Sequence, residues 1–373
     1  MSIETPGNVR TSRSLAQCNL ISACKLSWPV IEAARSKARD SCARQNTGIV
    51  SSNPTAESDA MTLEGPTEAQ LKRMREELQE DPEAIKEDMI RFREWLSKQP
   101  HLPHHMEDAR LERFLYGCKL SLERAKRVLD TYYMVRATAP EFFRDRDPLS
   151  VDMQLCFQSI HYVPLPVLTH LGYRPTLLRL ADCDVNRFDV RVLATRIVMS
   201  LDARLLEERC LNNVMIIDLD GYTMGHYTKV SPTQALVRKG LLCIQDAFPL
   251  RLAQVHLLNA PVFISNIMNL FRPFLKEKFF SKVFFHCSGY ESLYEHVPRD
   301  ALPREYGGKL DSIQELTERW NQKLVSLRPW FLQEQLISMS DESRRPPGQR
   351  KSTASALALG PEVHGTFRQL SID

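Results

Sequence analysis

The feature that most constrains this chain is a set of four short apolar runs alternating with long helical patterns. The runs are Thr176–Ala181, Asn213–Asp218, Gln254–Leu258 and Lys282–His286, each ending in turn residues. Segments this short and this uniformly apolar read as strands buried on both faces. Between them, residues 187–209, 231–247 and 261–280 carry helical periodicity. Such alternation predicts an α/β layer built on a parallel or mixed sheet.

Helices dominate upstream. Thr67 to Gln70 reads as a capping box, followed by Leu71, Met74 and Leu78 on one face. Asp81-Pro82 pairs a cap with proline at the first helical position. Ile85, Met89, Phe92 and Leu96 then recur at helical spacing. Asp108 opens a helix with Leu111, Phe114 and Leu115 inward, and Gly117 suits its end. Ser121 opens another, with Leu122, Ala125, Leu129, Tyr132 and Tyr133 on one side. The expected organisation is a helical unit over residues 61–140 and an α/β domain over 141–331. Ser312 and Glu315 cap a closing helix over 311–326 that turns Ile313, Leu316, Trp320 and Leu324 inward. Residues 1–60 are rich in Ser, Arg and small residues. Few acids precede Glu57, which resembles a transit peptide, but the preferred reading is a disordered or isoform-specific extension. Residues 332–373 are polar and are expected to be mostly a disordered tail.

Composition excludes several classes. Lys and Arg number 49 against 46 Asp and Glu, a net charge of +3, and a general nucleic-acid binder would be far more basic. No apolar run is long enough to span a bilayer as a helix. The nine cysteines are odd in number and scattered, without Cys-x-x-Cys spacing. With no secretory signal pattern, they read as reduced thiols of a cytoplasmic protein. Asp218-Leu219-Asp220 resembles the Asp-x-Asp phosphotransferases. However, Tyr222 stands where that pattern wants Thr, and no acidic pair follows to hold magnesium. A strand end with Asp bonding local amides is the alternative. His101, His104 and His105 could bind zinc, but a solvated, Pro-bounded loop explains them better. His226, His256 and His286 read as core histidines. There is no nucleophile elbow, dinucleotide loop or phosphate loop. The expectation is a protein that is not an enzyme and carries no cofactor or metal.

The stretch 261–280 is the most informative. Pro261 suits a helix start, and Ile264, Ile267, Phe271 and Leu275 form a stripe widened by Met268 and Phe274. Pro273 sits inside, where it removes a backbone hydrogen bond and clashes with the preceding turn. The pattern fits a lid with a weak point, or a kinked core helix. Arg272, Lys276, Lys278 and Lys282 gather around it, with Arg238, Lys239 and Arg251 upstream. An apolar face rimmed by cations suits a peripheral membrane binder; a solvated charged face is the other reading.

Four strings carry a resemblance to a known family. They are Asp246–Arg251, Val255–Pro261, Phe271–Lys278 and Leu302–Gly308, preceded by Arg113–Lys119. In order and spacing the chain resembles the CRAL-TRIO lipid-binding proteins from about Met61 to Phe331. It is most similar to their α-tocopherol transfer and retinaldehyde-binding branch, particularly its insect members. The resemblance implies a CRAL-TRIO fold: a helical N-terminal subdomain, and a mixed or parallel sheet flooring an apolar lipid cavity closed by a gate helix. It implies that the protein carries one tocopherol- or retinoid-like molecule between membranes, as a monomer that sits transiently on anionic phosphoinositide surfaces. By position the pocket would include Val192, Thr195, Met199, Met215, Ile217, Ile244, Phe248, Leu252 and Val255. The gate would use Ile264, Ile267, Phe271, Pro273 and Leu275. Arg251, Lys278 and Lys282 would hold phosphoinositide phosphates. Two family basic positions depart, with Ala253 at one, and Tyr116 and Cys118 at an Arg-x-Arg beside Lys119. The rival reading is a phosphoinositide-binding trafficking adaptor that transports no ligand.

Overall fold

The computed structural model describes residues 60–347 except 209–211, 231–233, 273–274, 276 and 287–288. The expected N-terminal extension, the last residues of the tail and Pro273 of the gate lie outside the described residues.

Local sequence sets the first helices. In α1 (Glu68–Leu78), the Gln70 amide donates to Thr67 Oγ1 at 3.3 Å and the Thr67 amide to Gln70 Oε1 at 2.8 Å. This is the reciprocal box that the spacing predicts. In α2 (Pro82–Ser97), Asp81 Oδ1 accepts from the Glu83 amide at 3.1 Å. Next come α3 (Asp108–Gly117) and α4 (Leu122–Thr138). Phe92, Leu96, Leu111, Phe114, Leu115, Leu129 and Tyr132 are fully buried among them. This core does not close on itself. Val198, Leu201, Leu205, Cys243, Ala247 and Phe248 from the following domain complete it. Gly117 explains how close the two come: a Cβ there would lie 1.9 Å from the Pro249 carbonyl oxygen.

Two further helices, α5 (Pro140–Phe143) and α6 (Val151–Ser159), lead into the sheet. Its strands are β1 (Ile160–Pro164) and β2 (Arg174–Leu180), followed after α7 (Val190–Glu207) by β3 (Asn212–Asp218). After α8 (Met224–Val230) and α9 (Gln234–Ala247) comes β4 (Arg251–Leu258). The helices α10 (Ile264–Phe271) and α11 (Glu277–Phe280) then precede β5 (Val283–His286). The strands lie in sequence order, β1 antiparallel to β2 and the rest parallel. The mixed α/β sheet is thus as expected, with β1 the strand that the patterning missed. It follows α6 without a break and ends in proline, so no turn signal announces it.

The helix expected over 261–280 is two helices, α10 and α11, not one. After the short α12 (Glu291–Tyr294), α13 (Ile313–Ser326) turns Ile313, Leu316, Trp320 and Leu324 into the core as its capping box predicts. The described residues carry regular structure into the segment expected as a tail from residue 332. The last helix, α14 (Arg328–Ile337), runs into it, and Arg345 is buried between Glu342 and Asp130. Bidentate ion pairing, rather than apolar burial, holds this polar segment.

The core histidines behave as expected, since His226, His256 and His286 are all buried. His101 departs from a solvated loop. It is buried against Asp130 at 3.2 Å, while His104 bonds the Gln99 carbonyl and His105 the Ser338 hydroxyl. The three turn to separate partners, and among the described residues no side-chain group could hold a metal ion.

On β4 and β5, His256 Nδ1 lies 2.9 Å from His286 Nε2, and His286 Nδ1 lies 2.7 Å from Ser292 Oγ. Gln254 Oε1, His296 and Phe284 complete the surroundings of His256. Burial and the neighbouring His286 and His296 push the His256 pKa down to about 3. The unfolded imidazole takes a proton near pH 6.5, which the folded one refuses until far lower pH. Stability is therefore full above about pH 6.5 and falls as the pH drops, by at most ~1.4 kcal/mol per pH unit for one proton. The expected result is a urea midpoint clearly lower at pH 5 than at pH 7, with a shallower fall in His256→Gln. Equal slopes in both proteins would remove His256 from the account.

Candidate functional site

Pleating sends alternate residues of each strand to opposite faces of the sheet. Val214 and Ile216 of β3 and Leu258 of β4 therefore join one apolar cluster, which also holds Leu177 and Trp320. Met215 and Ile217 point the other way, in register with Val255 and Leu257 of β4, and Val255 pairs onward with Val283 of β5. On this second face Met215, Ile217, Leu252, Val255, Leu257 and Val283 form a separate cluster with Ile264 and Met268 of α10 and Phe279 of α11. Met215, Ile217 and Ile264 are only half-buried. Here is an apolar floor with a helix over it that does not fully seal it.

Five of the expected residues meet at this place: Met215, Ile217, Leu252, Val255 and Ile264. Others are placed elsewhere. Val192 and Met199 of α7 lie in the large cluster around Trp320. Thr195 is buried with its hydroxyl donating to the Arg191 carbonyl at 3.1 Å. Ile244 and Phe248 pack with the N-terminal helices. On the gate, Ile267 is buried, Phe271 packs against the large cluster and Leu275 is half-buried. Leu257, Val283 and Phe279 belong to the floor but were not singled out in the sequence. Leu257 could have been found by extending the alternation of β4 from Val255, whereas Val283 lies on another strand and is set beside Val255 only by register. Nothing in the sequence pointed to Phe279.

A second element is electrostatic. Arg251 opens β4, Lys278 lies on α11 and Lys282 immediately precedes β5. Lys282 Nζ donates to the Leu252 carbonyl, so the end of the expected gate segment is tied to the floor of the apolar face. Burial lowers the pKa of Lys282, and the charges of Lys278 and Arg251 lower it further. The three expected cations are thus close enough to repel one another, an arrangement that an anion would relieve. Glu77 at the end of α1 stands 3.5 Å from both Arg251 Nη1 and Lys119 Nζ.

A third element lies just before the 261–280 segment. Asp218, buried at the end of β3, accepts from Asn259 Nδ2 at 2.7 Å, Tyr306 Oη at 2.8 Å and the Asp220 amide at 3.0 Å. Arg179 lies 3.0 Å from Asp220 and 3.6 Å from Asp218. Burial and the facing Asp218 raise the Tyr306 pKa well above its ordinary value, so its hydroxyl stays a donor. Asn259 has a positive φ of 50° and immediately precedes the gate segment. Asp218 therefore ties the start of the 261–280 segment to the Leu302–Gly308 turn, while Asp220 stays partly exposed beside Arg179.

Among the described residues, no helix is long and apolar enough to cross a membrane. Comparison with known proteins places these features. A CRAL/TRIO domain model matches residues 163–308, and a Pinta-like, UBA domain model matches residues 81–153. The chain is 30% identical over 271 residues to the alpha-tocopherol transfer protein-like protein of Homo sapiens, covering 72% of this chain and 78% of that one. It is 28% identical over 243 residues to clavesin-2 of Rattus norvegicus, covering 64% of this chain and 74% of that protein. Clavesin-1 of Xenopus laevis is 26% identical over 243 residues. By these likenesses the chain belongs to the CRAL/TRIO family of lipid-binding proteins.

Proposed function

We propose that this protein carries one small hydrophobic lipid, tocopherol- or retinoid-like, between membranes, and that anionic phosphoinositide headgroups help its gate to open. The observation that carries this reading is the apolar face of Met215, Ile217, Leu252, Val255 and Leu257 under α10, joined through Lys282 to the cations at the gate's end. An apolar ligand on that face gains roughly 25 cal/mol per Å² of surface removed from water. Release requires α10 to lift, which exposes its apolar stripe. In water that exposure is unfavourable, whereas in a bilayer interface it is not. Headgroup contact by Arg251, Lys278 and Lys282 favours the open state only if it is stronger there than in the closed one. The protein would act from the cytoplasm, on membranes only transiently. A likeness to a relative named a transfer protein supports this reading.

Native mass spectrometry of the purified chain, with extraction of what it holds, tests the carrier. One lipid per chain is expected, and an empty protein would favour a phosphoinositide adaptor. The division of labour has its own test. Lys278→Ala with Lys282→Ala should slow transfer to anionic vesicles by about 5- to 30-fold, at roughly 1 kcal/mol per cation near the surface, and leave ligand stoichiometry unchanged. Loss of the ligand in that variant would refute the separation.

A further inference from the structure

Glu77 is an odd carboxylate. It occupies the last turn of α1, one residue before the helix ends at Leu78. A helix C-terminus carries partial negative charge and disfavours an anion. What faces it instead is a pair of cations from two other elements: Arg251 at the start of β4 and Lys119 after α3, each 3.5 Å away. Lys119 and Leu120 both have positive φ, at 60° and 56°. That region is sparsely populated for residues with a Cβ. The backbone turns there one residue beyond Gly117, whose missing Cβ lets α3 press on Pro249, two residues before Arg251. The approach of α3 to β4 and this turn together deliver Lys119 to the same carboxylate as Arg251.

A carboxylate and a phosphate take hydrogen bonds from the same donors in similar geometry. We infer that Glu77 sits in the seat of a headgroup phosphate, as an internal counter-anion that the headgroup displaces, and that Lys119 is a fourth cation of that seat. The inference rests on the phosphoinositide part of the function proposed above. It adds a consequence: without a membrane, Glu77 holds α1 onto the cation cluster, and phosphate exchange releases that tie. The chemistry recognised is a phosphorylated inositol, whether borne by a bilayer or free in solution.

The test compares wild type, Glu77→Gln, Lys119→Ala and Glu76→Gln. Glu76 is the neighbour of Glu77 on α1 and is exposed as Glu77 is, so its variant makes the same change in net charge away from the seat. Two probes are used: phosphatidylcholine vesicles with or without phosphatidylinositol bisphosphate, read by co-sedimentation, and soluble inositol trisphosphate, read by calorimetry. Glu77→Gln should bind about 3- to 5-fold tighter and Lys119→Ala about 5-fold weaker, with Glu76→Gln unchanged. An effect with vesicles alone assigns the seat to bilayer headgroups, and an effect with the soluble probe alone assigns it to free inositol phosphates; both uphold the exchange. If wild type binds and Glu77→Gln merely equals it, or if Glu76→Gln tightens binding as much, the inference falls and the phosphoinositide reading stands. If neither wild type nor Glu77→Gln binds either probe, both fall. Binding by Glu77→Gln but not by wild type upholds the seat and overturns unaided headgroup recognition.

Discussion

Asp202→Ala should be the most destabilising of the single substitutions considered, lowering unfolding free energy by about 3–5 kcal/mol. Asp202 lies on α7, fully buried. It accepts from Arg136 at 2.5 and 2.6 Å, from Arg146 at 2.6 Å and from Tyr132 Oη at 2.9 Å. Burial pushes its carboxyl pKa up, but Arg136, Arg146 and Arg110 outweigh burial and hold it below the ordinary range. Alanine leaves Arg136 and Arg146 charged in an interior that cannot solvate them. The cost thus comes less from a lost attraction than from two stranded cations. Chemical denaturation measures it directly. Replacing Asp202 and both arginines together with apolar residues should cost less than the single change. A loss under about 1 kcal/mol for Asp202→Ala would show that water reaches the site.

The second large effect joins stability to function. Asp218→Ala removes the acceptor shared by Asn259, Tyr306 and the Asp220 amide. Of these donors only the Tyr306 hydroxyl is fully buried, and a buried donor left without a partner costs about 1–3 kcal/mol, so a loss of roughly that size is expected. Because Asn259 precedes the gate, the ligand should also exchange faster than the stability loss alone explains. Asp218→Asn is the companion variant: it keeps the shape and an acceptor oxygen but loses the charge beside Arg179. Hydrogen exchange over residues 259–271 reads the gate directly. Destabilisation without faster local exchange there would confine Asp218 to a structural role.

How much of this was legible in the sequence differs by element. The capping boxes at Thr67 and Ser312 are local chemistry, and each helix starts where its box says. The strands β2 to β5 were legible because sheets buried on both faces need short, uniformly apolar runs. Strand β1 was not legible, since the segment Ile160–Pro164 has a strand's burial but no turn before it. Spacing along a helix identifies a face but not what that face meets. Val192 and Met199 share a face of α7, yet they pack in the large cluster rather than over Met215 and Ile217.

The sequence by itself determined the class of the molecule: helices first, then a mixed α/β sheet, then a capped closing helix. It also determined that an apolar segment with a proline inside would stand next to a cluster of cations. Those properties follow from periodicity, caps and residue chemistry, which act within a few turns of chain. Only the tertiary structure decided which residues meet. Register fixed the floor as Met215, Ile217, Val255, Leu257 and Val283, because a shift of one residue would have turned each to the other face. The approach of α3 to Pro249 put Lys119 and Arg251 on one carboxylate. Residues Glu77, Lys119 and Arg251 lie far apart in the chain, and charges act through space, so no local pattern could have paired them.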